Sequence, residues 1–107
     1  MRAGVLHEQV KIQSKSVTRD TDGGEIITWT DVATVWASIE PLRGQEFLEA
    51  SGLHANVDHR IRVRHMSGIL PSMRVLYGDR AFNINAVIQV AERRREIQLM
   101  CQELING

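Results

Sequence analysis

Nine consecutive residues, VDHRIRVRH from Val57 to His65, alternate with a period of two. In an extended chain Val57, His59, Ile61, Val63 and His65 fall on one face, and Asp58, Arg60, Arg62, Arg64 and Met66 on the other. A helix, with its period of 3.6, has no face that separates these two sets. The stretch therefore specifies a strand with one face turned to a core and a row of arginines turned away. A lone strand is not stable, so a chain built on this pattern has to form a sheet.

The same period recurs on either side. In VLHEQVKIQSKSV, Val5 to Val17, the alternation runs from Val10 onward. TRDTDGGE follows, and its Asp-Gly-Gly supplies the positive φ angles of a tight connection. IITWTDVATVWASIEPL, from Ile26, is rich in β-branched and aromatic residues and reads as the second arm of a hairpin. Its apolar phase changes at Asp31, which marks a bend or bulge, and Pro41 ends it. Trp36 is out of phase with Val35, Ala37 and Ile39. It fits either a second small cluster under a loop or an aromatic anchor at a protein interface.

From Leu42 to Asn56 the alternation stops. Gln45 to Ala50 are good helix formers and Gly52 suits a C-terminal stop, but only about two turns fit. The segment reads as a short helix or a long inserted loop, and long inserts in compact β domains often carry function. After the arginine strand, Gly68 and Pro71 mark a turn, MRVLY a short strand, and Gly78-Asp79 a hairpin of the Gly-X type. The next arm has Phe82, Ile84 and Ala86 alternating with Asn83 and Asn85. The closing AERRREIQLMCQELI is ambiguous. Ile97, Cys101 and Leu104 fit a helix, Ile97, Leu99 and Cys101 fit a strand, and intrinsic propensity favours the helix.

Composition narrows the chemistry. The 107 residues suit one domain with a modest core, and 13 basic against 13 acidic residues give a net charge of zero. A free-standing DNA-binding domain usually has a basic excess, since phosphate neutralisation supplies most of its affinity. The row Arg60, Arg62, Arg64 and the cluster Arg93 to Arg95 suit phosphate, yet aromatic residues are only 5% of the chain and none interleaves with them. Ion pairing with neighbouring carboxylates such as Glu92, Glu96 or Glu103 is the plainer reading. His59 and His65 lie roughly 20 Å apart along a strand and cannot share a metal. His7 and His54 have no placed partner. Cys101 is the only cysteine, excludes an internal disulfide, and occupies what looks like a core position. There is no nucleophile motif, P-loop or dinucleotide fingerprint. The expectation is no catalytic, cofactor or metal site. No apolar run is long enough for a membrane span or a signal peptide, which fits a protein made in the cytoplasm.

Five pieces in fixed order carry a resemblance: HEQVKIQ, TWTDVATVWASIEPLRGQEFLEA, HRIRVRH, MRVLYGDRAFNI and RREIQLMCQEL. Together they resemble the head–tail adaptor family of tailed phages, also called head-closure or stopper proteins. The resemblance implies an all-β chain: a small β-barrel of about six to seven antiparallel strands, one domain over 1–107 with an insert at 42–56. It implies a structural virion protein of a phage or prophage, at the head–tail junction and made in the host cytoplasm. Copies would form a ring at the portal exit, retain the packaged genome and offer the tail its attachment surface, the free chain being allowed as a monomer. Portal-adaptor proteins would lie above it and tail proteins below, double-stranded DNA would pass through, and no membrane or cofactor would be involved. The channel plug would be Arg43, Gly44, Gln45, Glu46, Phe47, Leu48, Glu49, Ala50, Ser51, Gly52, Leu53 and His54. Trp36, Arg60, Arg62 and Arg64 are the candidate subunit or adaptor contacts. The resemblance also makes the last segment a strand, against its propensity. A tail-completion protein of the same junction and a free-standing SH3-like binding module remain as alternatives.

Overall fold

The computed structural model describes residues 7–44, 57–89 and 96–104. They hold six strands: β1 (Glu8–Arg19), β2 (Glu25–Pro41), β3 (His59–Arg64), β4 (Arg74–Tyr77), β5 (Arg80–Gln89) and β6 (Glu96–Leu104). Every neighbouring pair is antiparallel, and the order β1-β2-β3-β6-β5-β4 closes through β4 and β1 into a barrel. The strands expected from the alternation, and the all-β barrel implied by the resemblance, are thus what the chain forms. The short helix or loop expected within 42–56 lies, from Gln45 onward, outside the described residues.

The core is the inward row of each strand. Val10, Ile12, Ala37, Ile61, Val63, Val75, Phe82, Ile84, Ile97, Leu99 and Cys101 form one buried cluster. In β6 the inward residues are Ile97, Leu99 and Cys101, the strand spacing. Its helical propensity yields because β3 and β5 flank it on both sides with complete ladders. β3 does not lead to a spatial neighbour. Residues 65–73 carry the chain across the barrel to β4, burying Ile69 and packing Met66 and Met73 on the core as they cross.

Turns and bulges follow local chemistry. Asp20 Oδ1 accepts from the N–H groups of Asp22 and Gly24, at 3.0 and 2.7 Å, and Gly23 takes the positive φ of 86° that closes the β1–β2 hairpin. Leu70-Pro71-Ser72-Met73 is a type II turn, with Pro71 second, Ser72 at φ 86° and Met73 N–H donating to Leu70 O. At the β4–β5 hairpin Gly78 has φ 61° while Asp79 stays negative, as a II′ turn requires. The register of β1 on β2 slips between Ile12 and Gln13, which face Ala33 and Asp31, so Val32 is the extra residue. This is the bulge expected at Asp31.

Three placements differ from simple alternation. A second bulge at Asn85 flips the phase of β5, so Ala86 packs outside against Met100 and Val87 turns to the core. Val57 precedes β3 and joins Leu42 and Met100 in that outer cluster instead of lining up with Ile61. β3 also stops at Arg64, which leaves His65 exposed and lets Met66 pack on the core.

Phe82 is fully buried at the centre of the cluster, whereas Val17 is 48% exposed. Phe82→Ala should therefore cost about 3–5 kcal/mol, and Val17→Ala within about 0.5 kcal/mol. Urea unfolding of the two variants checks this contrast, and equal losses would contradict the core assignment.

Candidate functional site

The arginine row sits on the outer wall of the barrel. Register places Arg60 opposite Glu40 and Arg62 opposite Ser38 on β2, and Arg62 opposite Gln98 on β6. Arg60 donates to Glu40 Oε1 through Nε and Nη2, at 3.1 and 2.9 Å. Ser38 Oγ donates to Glu40 Oε2 at 2.9 Å, and Arg62 Nη1 lies 3.3 Å from the same oxygen. Arg62 Nε is 3.1 Å from Glu96 Oε1 but out of line for a hydrogen bond, so that contact is Coulombic. Glu40 is thus the hub. Partial burial opposes its ionisation, but the hydrogen bonds from Arg60 and Ser38 and the charges of Arg62 and Arg60 outweigh it, holding its carboxyl below the usual 4.5.

Trp36 lies two residues before Ser38, and Arg64 two after Arg62, so both project from this same wall. Trp36 is 55% exposed and, among the described residues, outside both apolar clusters, which speaks against the reading that it sits under a loop. Arg64 is exposed as well, and among the described residues no carboxylate pairs with it. The wall therefore combines a charge-compensated floor with an exposed indole and an exposed guanidinium at one end.

The base of the insert is fixed to the barrel. Leu42 N–H donates to Asp58 O at 3.0 Å, and Asp58 N–H to Cys101 O at 2.9 Å. Asp58 Oδ1 accepts from the Glu103 N–H at 2.9 Å and lies 2.8 Å from His59 Nδ1. Glu103 takes two hydrogen bonds from Arg80, at 2.8 and 3.0 Å, which hold its carboxyl below the usual range. The chain thus leaves and re-enters the barrel at one clasped point, above the outer cluster of Leu42, Val57 and Met100.

Of the residues singled out from sequence, Trp36, Arg60, Arg62 and Arg64 come together on one face. Arg43 and Gly44 are described at the start of the insert, while 45–54, His54 included, lie outside the described residues, as do Glu92 and Arg93 to Arg95. Glu96 does pair with the arginine row, but Glu103 serves Arg80 instead, and Glu40 was not anticipated. Only the β2–β3 register reveals Glu40, and that register spans the whole insert. Cys101 is fully buried, and burial pushes its thiol well up, out of reach of ordinary nucleophilic use. Among the described residues no three His, Cys, Asp or Glu side chains gather to hold a metal, and no helix is long and apolar enough to cross a membrane.

Glu40→Gln should lower stability at pH 7 by about 1 kcal/mol, less than the roughly 3–5 kcal/mol of a fully buried pair because the cluster is partly wet. The folded pKa of Glu40 is depressed, so its contribution is complete above its unfolded value near 4.5 and is lost as pH falls through the lower folded value. The gap between wild type and Glu40→Gln should therefore shrink below about pH 4. Urea titrations at pH 7 and pH 3 measure it, and a constant gap would refute Glu40 as the hub.

The sequence pattern of the phage head completion protein family matches residues 1–104. The solution structure of protein SF1141 from Shigella flexneri 2a is similar over 100% of both chains, with a TM-score of 0.74 and 27% identity. A chain from the virion of a native gene transfer agent particle covers 92% of this chain and 96% of its own, with a TM-score of 0.65 and 21% identity, and shares the fold. No curated protein is significantly similar in sequence. The family pattern, matched over residues 1–104, shows that this chain belongs to the phage head completion proteins, structural parts of the virion and not enzymes.

Proposed function

We propose that the protein works as a ring at the portal exit of a tailed phage or prophage head, closing the DNA channel after packaging and giving the tail its attachment surface. The observation that carries this reading is the clasped insert on a closed barrel. Leu42 and Asp58 are tied to each other and to β6, so the segment between them is presented from one fixed point of a rigid body. In this reading residues 43–54 form the channel plug, and the chain is one domain over 1–107. Closure is mechanical, and movement of the segment reopens the path, a switch of the hinge or order–disorder kind.

Trp36, Arg60, Arg62 and Arg64 form the contact wall toward neighbouring subunits or the portal-side adaptor. Arg60 and Arg62 supply its stiff, charge-balanced floor through Glu40 and Glu96. Trp36 and Arg64 supply the exposed anchor, the residue types that dominate binding energy at interfaces. The zero net charge suits a gate that DNA must pass, since strong phosphate binding would retard exit.

Deleting the gene in its parent phage should yield heads that package DNA and leak it, beside separate finished tails, as seen by electron microscopy. Heads that keep their DNA yet join no tails would move the protein to tail completion, and normal infectious particles would refute a junction role. The double variant Trp36→Ala/Arg64→Glu should fold within about 0.5 kcal/mol of wild type and still fail to rescue the deletion. Full rescue by that variant would remove the wall from the contact surface.

A further inference from the structure

The β1–β2 hairpin is much longer than the barrel needs. β1 meets β4 only at Lys11, Ile12 and Gln13, and β2 meets β3 only from Ala37 to Pro41. Beyond these points Ser14–Arg19 and Glu25–Thr30 pair only with each other among the described residues, as a two-stranded ribbon roughly 20 Å long. The 50 × 28 × 26 Å extents of the molecule accord with such a projection. Among the described residues each strand of the ribbon has one open edge, over Ser14–Arg19 on β1 and Glu25–Trp36 on β2. An open edge is a row of backbone donors and acceptors ready for another strand.

Three observations say what covers it. The ribbon is held stiffly at its root: Arg74 lies 4.1 Å over the Trp29 ring and donates to Gln13 at 2.8 Å, and Gln13 donates to Asp31. Among the described residues five of the seven exposed large apolar side chains, Val17, Ile26, Ile27, Val32 and Trp36, lie on β1 and β2, so their uncovered apolar surface is concentrated beside these edges. The charges of the two edges are also opposite. Ser14–Arg19 carries Lys15 and Arg19 and no acid, and Glu25–Trp36 carries no base and the acids Glu25 and Asp31, the second already paired with Lys11 of its own chain. A two-fold contact would set like-charged edges together, whereas a head-to-tail contact sets basic against acidic.

We propose that copies of this chain join along the ribbon, the β1 edge of one copy (Ser14–Arg19) pairing antiparallel with the β2 edge of the next (Glu25–Trp36). A rotation axis along the ribbon preserves strand direction, so β1 runs against the neighbour's β2 as it does against its own. Because the two edges differ, the contact is heterologous, repeats from copy to copy, and closes as a ring. This rests on the ring reading above and names the seam that joins its members.

The test uses variants of the full chain with one added cysteine each, since native Cys101 is fully buried. One set places cysteine at Ser16, Val17 or Thr18, the other at Ile26, Ile27 or Thr28. Particles are grown with one variant from each set and mildly oxidised. Covalent dimers in the mixed particles, absent from particles holding either variant alone, are expected for at least one pairing. Lys15→Glu, whose register partner in its own hairpin is the uncharged Trp29, should abolish incorporation. Dimers from a single variant would mean two-fold edge pairing and overturn the proposal. Incorporation without dimers in any pairing would mean that another protein covers the ribbon, and would overturn it while leaving the ring reading intact. Absence of the wild-type chain from particles would overturn both.

Discussion

Three residue pairs between β1 and β4, Lys11 with Leu76, Ile12 with Val75 and Gln13 with Arg74, turn a six-stranded sheet into a closed barrel. This seam is short because β1 leaves the barrel directly after it. The bulge at Val32 comes at the same level, where β2 slips by one residue against β1. Up to and within the seam the inward residues are Val10 and Ile12. Above it the same face of β1 carries Ser14, Ser16 and Thr18, which face no core. The seam thus sets where a packed domain ends and a projecting ribbon begins. Arg74 secures it from outside, bridging Gln13 and Trp29 across three strands.

Closure then organises the outer surface. Once β2, β3 and β6 are neighbours in register, Glu40 lies between two arginines, Glu96 answers the second, and most of the arginine row is neutralised within the chain. This changes what the row is for. Three arginines on one strand suggest a phosphate grip when read alone, but two of them here stiffen a wall. At its end Trp36 and Arg64 stay exposed. The opposite end of β3 carries the Asp58 clasp, where the insert is tied to β6 by backbone hydrogen bonds. A closed barrel is a rigid body. Loops, edges and exposed anchors can change on it without disturbing the core.

Much of the fold was legible. The alternations at Val10–Ile12 and Ile61–Val63, the Gly-Gly and Gly-Asp turns, and the phase change at Asp31 each state their local structure, because side-chain period and positive φ are local properties. The last strand was not legible from its own residues. Glu96–Leu104 is rich in helix formers, and only the ladders of β3 and β5 make it extended. Ala86 and Val57 were misplaced because a bulge or a strand end shifts phase without leaving a composition signal. Glu40 escaped notice because its partners come twenty and more residues later, after the insert.

The sequence by itself determined that the chain is β-rich, that one face of the third strand is basic, that Cys101 belongs inside, and that no local catalytic or metal motif exists. These follow from residue types and their period within a few positions of one another. Tertiary structure alone decided which strands are neighbours, where the barrel closes, which carboxylates meet the arginines, and which strand edges stay open. Those outcomes depend on pairing register between segments far apart in the chain. A register is selected by packing the whole core at once, since a slip of one residue would turn every buried side chain outward.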